Sequence, residues 1–396
     1  MAQQMTPQQI NAMARMAIKA RAVKMTQNVF GQAFSVNSGN LAASQSQVTV
    51  NPRMVGLVKG FWVKAVSTIT NGSLVPINIT DFGPSNTFSQ VQFNDLNNNT
   101  RIQTSGWHLN IINSIKARRP FGSSLVRTTG FDSPTNYGSN WIGQISAPAQ
   151  IPASGAGTVT MWYWVPLAYS DDDYRGAVYM NVVNATAQLL LTFNPAPVVA
   201  NGADSTLAMY VGSIAGSVAS AVMSACTITV YQVYMDQIPQ GPQGLLLPIV
   251  DLATIYELKN TTFTGIVQNQ DFPMQYPNFR DFLSTTPIFV NNPTGGVRGE
   301  GGDVNYWALQ SANFTNISKV EPALQSLITR NHLQCDLPPG TYYFSSREKP
   351  ISTQQYGNME LVLNASSITG NAYVLVGYED FGLVQTLSMA GSLAAS

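Results

Sequence analysis

The sequence predicts an all-β protein: two consecutive eight-stranded antiparallel sandwiches, preceded by a basic helix and an extended arm. Three observations carry this. Short runs rich in Val, Ile, Thr, Tyr, Phe and Trp recur along most of the 396 residues, separated by Pro- and Gly-rich connections. Helical patterning is confined to a few places. The landmarks of the first half return in the same order in the second.

Thr6-Pro7-Gln8-Gln9 reads as a helix start, with Thr6 as N-cap, Pro7 at the first helical position and Gln9 closing a capping box. Ala- and Met-rich sequence carries this helix to about Gln27, with Ile10, Met13, Ala17 and Ala20 on one face. A polar Ser/Asn/Gln-rich arm follows from Phe30 to about residue 50. From Gly56 the character is β, with Asn71-Gly72 as a hairpin signal. Further strands are expected at Trp107–Ile112, Thr158–Val165, Leu189–Phe193, Thr227–Tyr234, Thr341–Ser345, Leu361–Leu363 and Tyr373–Tyr378. Helix is expected at Ser170–Tyr174, where Asp171, Asp172 and Asp173 suit a first turn, and at Glu321–Thr329.

The repetition runs as follows. Gly157-Thr158 and Gly340-Thr341 each precede an apolar run. These lead to Val165-Pro166-Leu167 and Lys349-Pro350-Ile351, then to Tyr174-Arg-Gly176 and Tyr356-Gly357. Each half closes on a β run ending Tyr-x-Asp, at Tyr234-Met-Asp236 and Tyr378-Glu-Asp380. Two copies of one sandwich, the first carrying extra residues, give this pattern. Eight strands in two Greek keys make a jelly roll. The expected organisation is therefore a helix and arm at 1–50, jelly rolls at 51–244 and 245–386, and a tail at 387–396. The apolar connector Leu245–Asp251 implies halves that pack rather than swing.

Only 10% of residues are charged and the net charge is zero, which favours association and suggests a surface committed to neighbours. What charge there is lies unevenly. Residues 1–80 hold Arg15, Lys19, Arg21, Lys24, Arg53, Lys59 and Lys64 and no acid, so the basic end is expected to meet something anionic, nucleic acid or a lipid surface. Cys226 and Cys335 alone suggest reduced thiols and cytosolic synthesis. The N-terminal residues show no compact apolar run before a cleavage site, so secretion is not expected.

Motifs for chemistry are sparse. Two histidines, His108 and His332, are too few for a cupin-type metal site, and His332-Leu-Gln-Cys335 lacks a second ligand pair. No metal and no cofactor is expected. The Gly-rich stretch Gly295–Gly302 lacks the Gly-Lys-Ser/Thr ending of a phosphate loop and reads as a flexible surface loop. Glu379-Asp380 could serve glycoside hydrolysis in principle, but its place at a duplicated strand end favours a structural role. Leu207–Cys226 is twenty residues without a charge and contains Gly212-Ser-Ile-Ala-Gly216; it is read as a close-packed subunit contact rather than a membrane helix.

Val55–Phe61, Thr80-Asp-Phe-Gly-Pro84, Thr104-Ser-Gly-Trp-His108, Tyr163–Ser170, Leu247–Leu252, Ala312-Asn-Phe314 and Gln355-Tyr-Gly-Asn358, in order from about residue 50 to 380, resemble stretches of the major capsid proteins of tectiviruses, double-stranded DNA bacteriophages with a membrane inside the shell. The resemblance implies a double jelly roll without enzymatic activity. It implies homotrimeric, pseudo-hexagonal capsomers in an icosahedral virion capsid, contacts with neighbouring capsomers, and vertex and minor capsid proteins as further partners. It further implies that the N-terminal helix lies against the internal viral membrane, with Arg15, Lys19, Arg21 and Lys24 facing lipid headgroups, and Lys116-Ala-Arg118-Arg119 on the same inner surface. Sequence-specific nucleic-acid binding is not expected. The competing reading is a carbohydrate-binding or glycan-cleaving β-sandwich protein of a virion or cell surface. Exposed aromatic platforms and a carboxylate pair within mutual reach would favour it.

Overall fold

In the computed structural model the described residues are 23–36, 46–116 and 145–383, without 171–172, 183–184, 239, 242–243, 246–253, 295–296, 300, 312–316, 334–336 and 349, together with Gln9 and Met13. The first half comprises β1 (Val23–Ser35), β2 (Gln47–Val50), β3 (Leu57–Asn71), β4 (Phe88–Asn94), β5 (Thr100–Thr104), α1 (Gly106–Lys116), β6 (Gly155–Pro166), β7 (Val178–Tyr179), β8 (Gln188–Phe193) and β9 (Ala221–Asp236). The second comprises β10 (Thr254–Thr264), β11 (Asp271–Gln275), β12 (Arg280–Asn292), β13 (Val304–Ser311), β14 (Ser318–Val320), α2 (Pro322–Leu333), β15 (Phe344–Ser345), β16 (Ile351–Ser352), β17 (Met359–Ala365) and β18 (Tyr373–Leu383).

The strand orders of the halves are the same. In the first, β1-β9-β3-β6, with β7 also on β3, faces β2-β8-β4-β5; in the second, β10-β18-β12-β15, with β16 also on β12, faces β11-β17-β13-β14. Each half is thus built on an eight-stranded jelly roll with additional short strands at its edges and in its loops, and a helix follows the fifth of the eight strands in each. The repetition read from the landmarks is realised: β9 ends in Tyr234-Met-Asp236, and its counterpart β18 carries Tyr378-Glu-Asp380 and runs on to Leu383. Alternation explains the faces. Along β3, Phe61, Val63, Ala65 and Ile69 are buried while Trp62, Lys64, Val66 and Thr68 are half-buried on the outside. Phe61, Phe88, Phe93, Tyr163, Leu189 and Ile228 anchor the first core. Met274, Phe289, Trp307, Leu361, Val374 and Tyr378 anchor the second.

Several expectations give way to the structure. Residues Trp107–Ile112 are not a strand but the body of α1, buried from Gly106 to Ser114. A helix covered on every side loses its polar stripe, so its sequence becomes an apolar run that cannot be told from a strand. The N-terminal helix does not reach Gln27, because β1 starts at Val23 and pairs with β9 over its whole length. Nor is 1–50 simply a helix and arm: β1 and β2 are strands of the first jelly roll. β1 is an edge strand whose inward contacts come only from Met25, Val29, Phe30 and Phe34, too few to stand out among its polar residues.

Asn71-Gly72 turns no hairpin. Instead, Asn71 is buried and its side-chain amide donates to the carbonyls of Val75 and Pro152, tying the end of β3 to two loops. Ser170, Asp173 and Tyr174 are not helical: the Asp173 amide donates to Ser170 Oγ and Arg175 grips the Asp173 carboxylate at 2.6 Å, while Asp171 and Asp172 lie outside the described residues. The Gly295–Gly302 stretch is not a free loop at Arg298, which pairs with Asp81 at 3.1 Å. Leu207–Cys226 forms a short strand at Tyr210–Gly212, bends, and the start of β9. No helix among the described residues is long and apolar enough to cross a membrane. The helix expected at Glu321–Thr329 is α2, and it runs on to Leu333.

Candidate functional site at the seam of the jelly rolls

The second jelly roll meets the first along β18. Successive residues of a strand point to opposite faces, and both faces of β18 are covered. Val374, Val376 and Tyr378 enter the core of the second roll. Leu375, Gly377, Glu379 and Phe381 face the first roll. α1 lies across that side, so Trp107 and Ile111 pack with Ile288, Val290 and Leu375, each such side chain contributing about 1.5–3 kcal/mol on full burial. His108 sits on Gly377, where an added Cβ would come within 2.4–2.7 Å of the imidazole ring. Beside the helix, β5 pairs in parallel with β10, Ile102 opposite Leu258 and Gln103 opposite Lys259, so one sheet runs through both rolls.

A buried ionic cluster closes one end of the seam. Glu379 is fully buried. Its Oε2 accepts from Arg347 Nη2 at 2.6 Å and Ser284 Oγ at 2.6 Å; its Oε1 accepts from Tyr256 Oη at 2.7 Å and lies 3.3 Å from Lys116 Nζ. Lys116 ends α1 and also donates to the Tyr169 carbonyl at 2.9 Å and to Tyr256 Oη at 2.8 Å, which uses all three of its donors. Burial by itself would raise the Glu379 pKa, but Arg347, Lys116 and the two hydroxyls outweigh it and hold the carboxyl well below its ordinary range. For Lys116 burial wins over the attraction of Glu379 and lowers its pKa to about 8. Arg175 stacks on Phe381 at 4.2 Å, adding a second tie between the halves.

Asp380 projects to the other face, opposite Glu257 in the β10–β18 ladder. Glu257 holds Lys259 and Arg280 at 2.8 Å each, while Asp380 is 3.8 Å from Arg280. Burial, then the neighbouring Glu257 charge, push the Asp380 pKa up to about 7 against the pull of the two cations. His108 accepts from or donates to Thr104 Oγ1 at 2.7 Å through Nδ1, and its Nε2 has no hydrogen-bond partner among the described residues. Burial lowers its pKa to about 4, with Glu379 opposing.

The adjacent acids at 379 and 380 therefore look away from each other and from solvent; Glu379 is held by two cations, while Asp380 has Arg280 only at 3.8 Å. They position strands. Among the described residues no group of His, Cys, Asp and Glu could hold a metal ion. Of the basic residues singled out in the sequence, Arg15, Lys19 and Arg21 lie outside the described residues. Lys24 is not on a helix face but on β1, exposed, with its backbone opposite Met235. The Lys116 ammonium is committed to the seam, and Arg118 and Arg119 lie outside the described residues. Sequence reading missed the partners Tyr256, Ser284 and Arg347. The one signal was an acidic pair inside an apolar strand of a chain with so little charge.

This architecture is that of the double jelly-roll viral coat proteins. It aligns with a chain from the Sulfolobus turreted icosahedral virus structure at a TM-score of 0.62 and 12% identity, over 94% of this chain and 93% of that one. It aligns with PBCV-1 VP54 at 0.55 and 10%, over 91% and 94%. Sequence narrows the class. Residues 1–238 match the family described as P3 major capsid protein N-terminal, and residues 253–395 match P3 major capsid protein C-terminal. The major capsid protein P3 of Enterobacteria phage PRD1 is 39% identical over 402 residues, covering 100% of this chain and 99% of that protein. The chain belongs to the P3 major capsid protein family, and the resemblance to tectivirus major capsid proteins extends over its whole length. It is a structural protein of a virion capsid, where it assembles with other capsid subunits.

Proposed function

We propose that three copies of the chain close into a pseudo-hexagonal capsomer, and that these capsomers tile an icosahedral shell over an internal membrane. The observation that supports this is the duplication itself. Two jelly rolls with one strand order are locked side by side by a buried seam, so each chain supplies two similar corners and three chains supply six. A subunit that swung at its middle could not hold the spacing of such corners. The chain acts by assembly and carries no catalysis, cofactor or sequence-specific nucleic-acid site. It is made in the host cytoplasm, and vertex and minor capsid proteins complete the shell.

The basic N-terminal residues Arg15, Lys19, Arg21 and Lys24 attach each subunit to anionic lipid, at about 1 kcal/mol per charge near the surface. Contacts that are weak singly become firm when repeated over a shell. Glycan cleavage by Glu379 and Asp380 finds no support in their burial.

Light scattering across a dilution series tests the capsomer. A threefold multiple of the 42.8-kDa chain that persists on dilution is expected, and a stable monomer would overturn the reading. Vesicle flotation tests the membrane contact. Replacing the four basic residues by Gln should abolish binding to anionic vesicles and leave the oligomer intact; undiminished flotation would refute that assignment.

A further inference from the structure

The seam inside the chain predicts the contact between chains. Within one chain, α1 lies over the outer face of the β10-β18-β12 sheet, and β5 pairs with β10. The counterparts of these four parts in the other roll are α2, the β1-β9-β3 sheet, β14 and β1. Among the described residues, Leu324 and Leu327 of α2 are exposed, Trp62, Lys64 and Tyr231 on the outer face of the sheet are half-buried, and β14 and β1 each pair with a single strand.

Aligning Tyr234 with Tyr378, each of which points into its own core, places Tyr231 at the position of Leu375. Trp62 pairs with Tyr231 as Ile288 pairs with Leu375, and Lys64 pairs with Thr229 as Val290 pairs with Tyr373. The seam residues Ile288, Val290 and Leu375 thus correspond to Trp62, Lys64 and Tyr231. These lie with Trp162 and Trp164 on an outward aromatic platform. Trp62 and Trp164 are 5.0 Å apart, Trp162 and Tyr231 stack at 6.0 Å, and Lys64 lies 5.4 Å over Trp162. Aromatic residues of this kind, half-exposed and clustered, are the common anchors of protein interfaces.

The helices correspond in the same way. Aligning Gly106 with Pro322 places the inward-facing Leu109 at Gln325, which is buried and donates to the Tyr343 carbonyl. It places the seam residues His108 and Ile111 at Leu324 and Leu327. Those two leucines are 49% and 58% exposed. α1 buries both of its sides; α2 buries one and presents leucines on the other. The edges agree. β10 is flanked by β18 and β5, whereas β1 pairs only with β9 and β14 only with β13 among the described residues.

We infer that the occupant of the aromatic platform is α2 of a second copy of this chain, Leu324 and Leu327 lying against Trp62 and Tyr231. In the same contact β14 extends the neighbour's sheet by pairing in parallel with β1. The contact repeats the internal seam, so it is head-to-tail, and a head-to-tail contact closes into a ring when its rotation completes a full turn. This inference rests on the trimer reading and specifies the surfaces that make the trimer.

The test is the full-length double variant Leu324→Glu/Leu327→Glu, whose substitutions are exposed in the isolated chain and leave both cores untouched. Leu74→Glu/Ile214→Glu, on loops exposed to 91% and 58%, serves as control. Light scattering at micromolar concentration is expected to show a threefold fall in mass for the α2 variant only, with circular dichroism and melting of a folded chain retained. Hydrogen exchange of residues 23–35 should then quicken at least tenfold relative to the wild-type oligomer. If the α2 variant stays trimeric, this assignment fails while the trimer stands. A wild-type chain that is already monomeric removes both. Unchanged exchange in β1 upon dissociation refutes the β14–β1 pairing.

Discussion

Replacing Glu379 by Gln keeps the shape of the side chain and removes its charge. In the native seam the carboxylate receives Arg347, Lys116, Ser284 and Tyr256, and it is wholly buried. The variant leaves two cations facing a neutral amide whose NH2 group must now sit where acceptors were needed. Breaking a buried pair by removing one partner costs about 3–5 kcal/mol. The side chains of Arg347 and Lys116 are 17% and 19% exposed, so some of their charge is relieved by water, and about 3 kcal/mol is the expected loss. Urea denaturation at pH 7, with tyrosine and tryptophan fluorescence as the signal, measures it. Adding Lys116→Met to the variant should cost much less than Lys116→Met costs alone, because the ion it removes has already lost its partner. A loss for Glu379→Gln below about 0.5 kcal/mol, the size of an ordinary surface change, would refute the claim that the cluster locks the seam.

Other predictions follow from the same region. His108 has a folded-state pKa lowered to about 4 against an ordinary 6.5, so its contribution to stability is complete above pH 6.5 and is lost as pH falls toward 4. Between pH 7 and pH 4 wild type should lose about 3 kcal/mol relative to His108→Gln; a constant difference would contradict this. Asp380 works in the opposite sense, its pKa being raised to about 7. Ionising it costs stability as pH rises from about 4 to 7, so Asp380→Asn should stabilise by about 4 kcal/mol at pH 8 and by little at pH 4, read from melts at both values. Gly377→Ala drives a methyl into the His108 ring and should cost about 1–3 kcal/mol. In a His108→Ala background that cost should shrink, and an unchanged cost would place the strain elsewhere.

The legible parts of the sequence were those with a clean period of two. β3, β6, β8, β9, β17 and β18 alternate or run apolar over five or more residues, and their landmarks disclose the duplication. What stayed hidden has physical causes. α1 is sheathed by two jelly rolls, so Trp107, Leu109, Ile111 and Ile112 fill every side of it and erase the helical stripe. β1 is held at an edge by few apolar contacts, so its strand character depends on β9 as a partner. Asn71-Gly72 has the residues of a hairpin, but the buried Asn71 amide serves two loops instead. The seam cluster depends on Lys116, Tyr256, Ser284, Arg347 and Glu379 meeting across the chain, and no local pattern encodes that meeting. The basic N-terminal residues were visible as charge alone.

A three-dimensional electron-microscopic reconstruction of the purified oligomer tests the central claim most directly, namely that one chain supplies two equivalent, locked corners of a six-cornered capsomer. It should show three chains about a threefold axis and six similar lobes, with the two lobes of each chain joined through α1 and β18 as they are within the monomer. Lobes of one chain found apart, or hinged at varying angles, would contradict it.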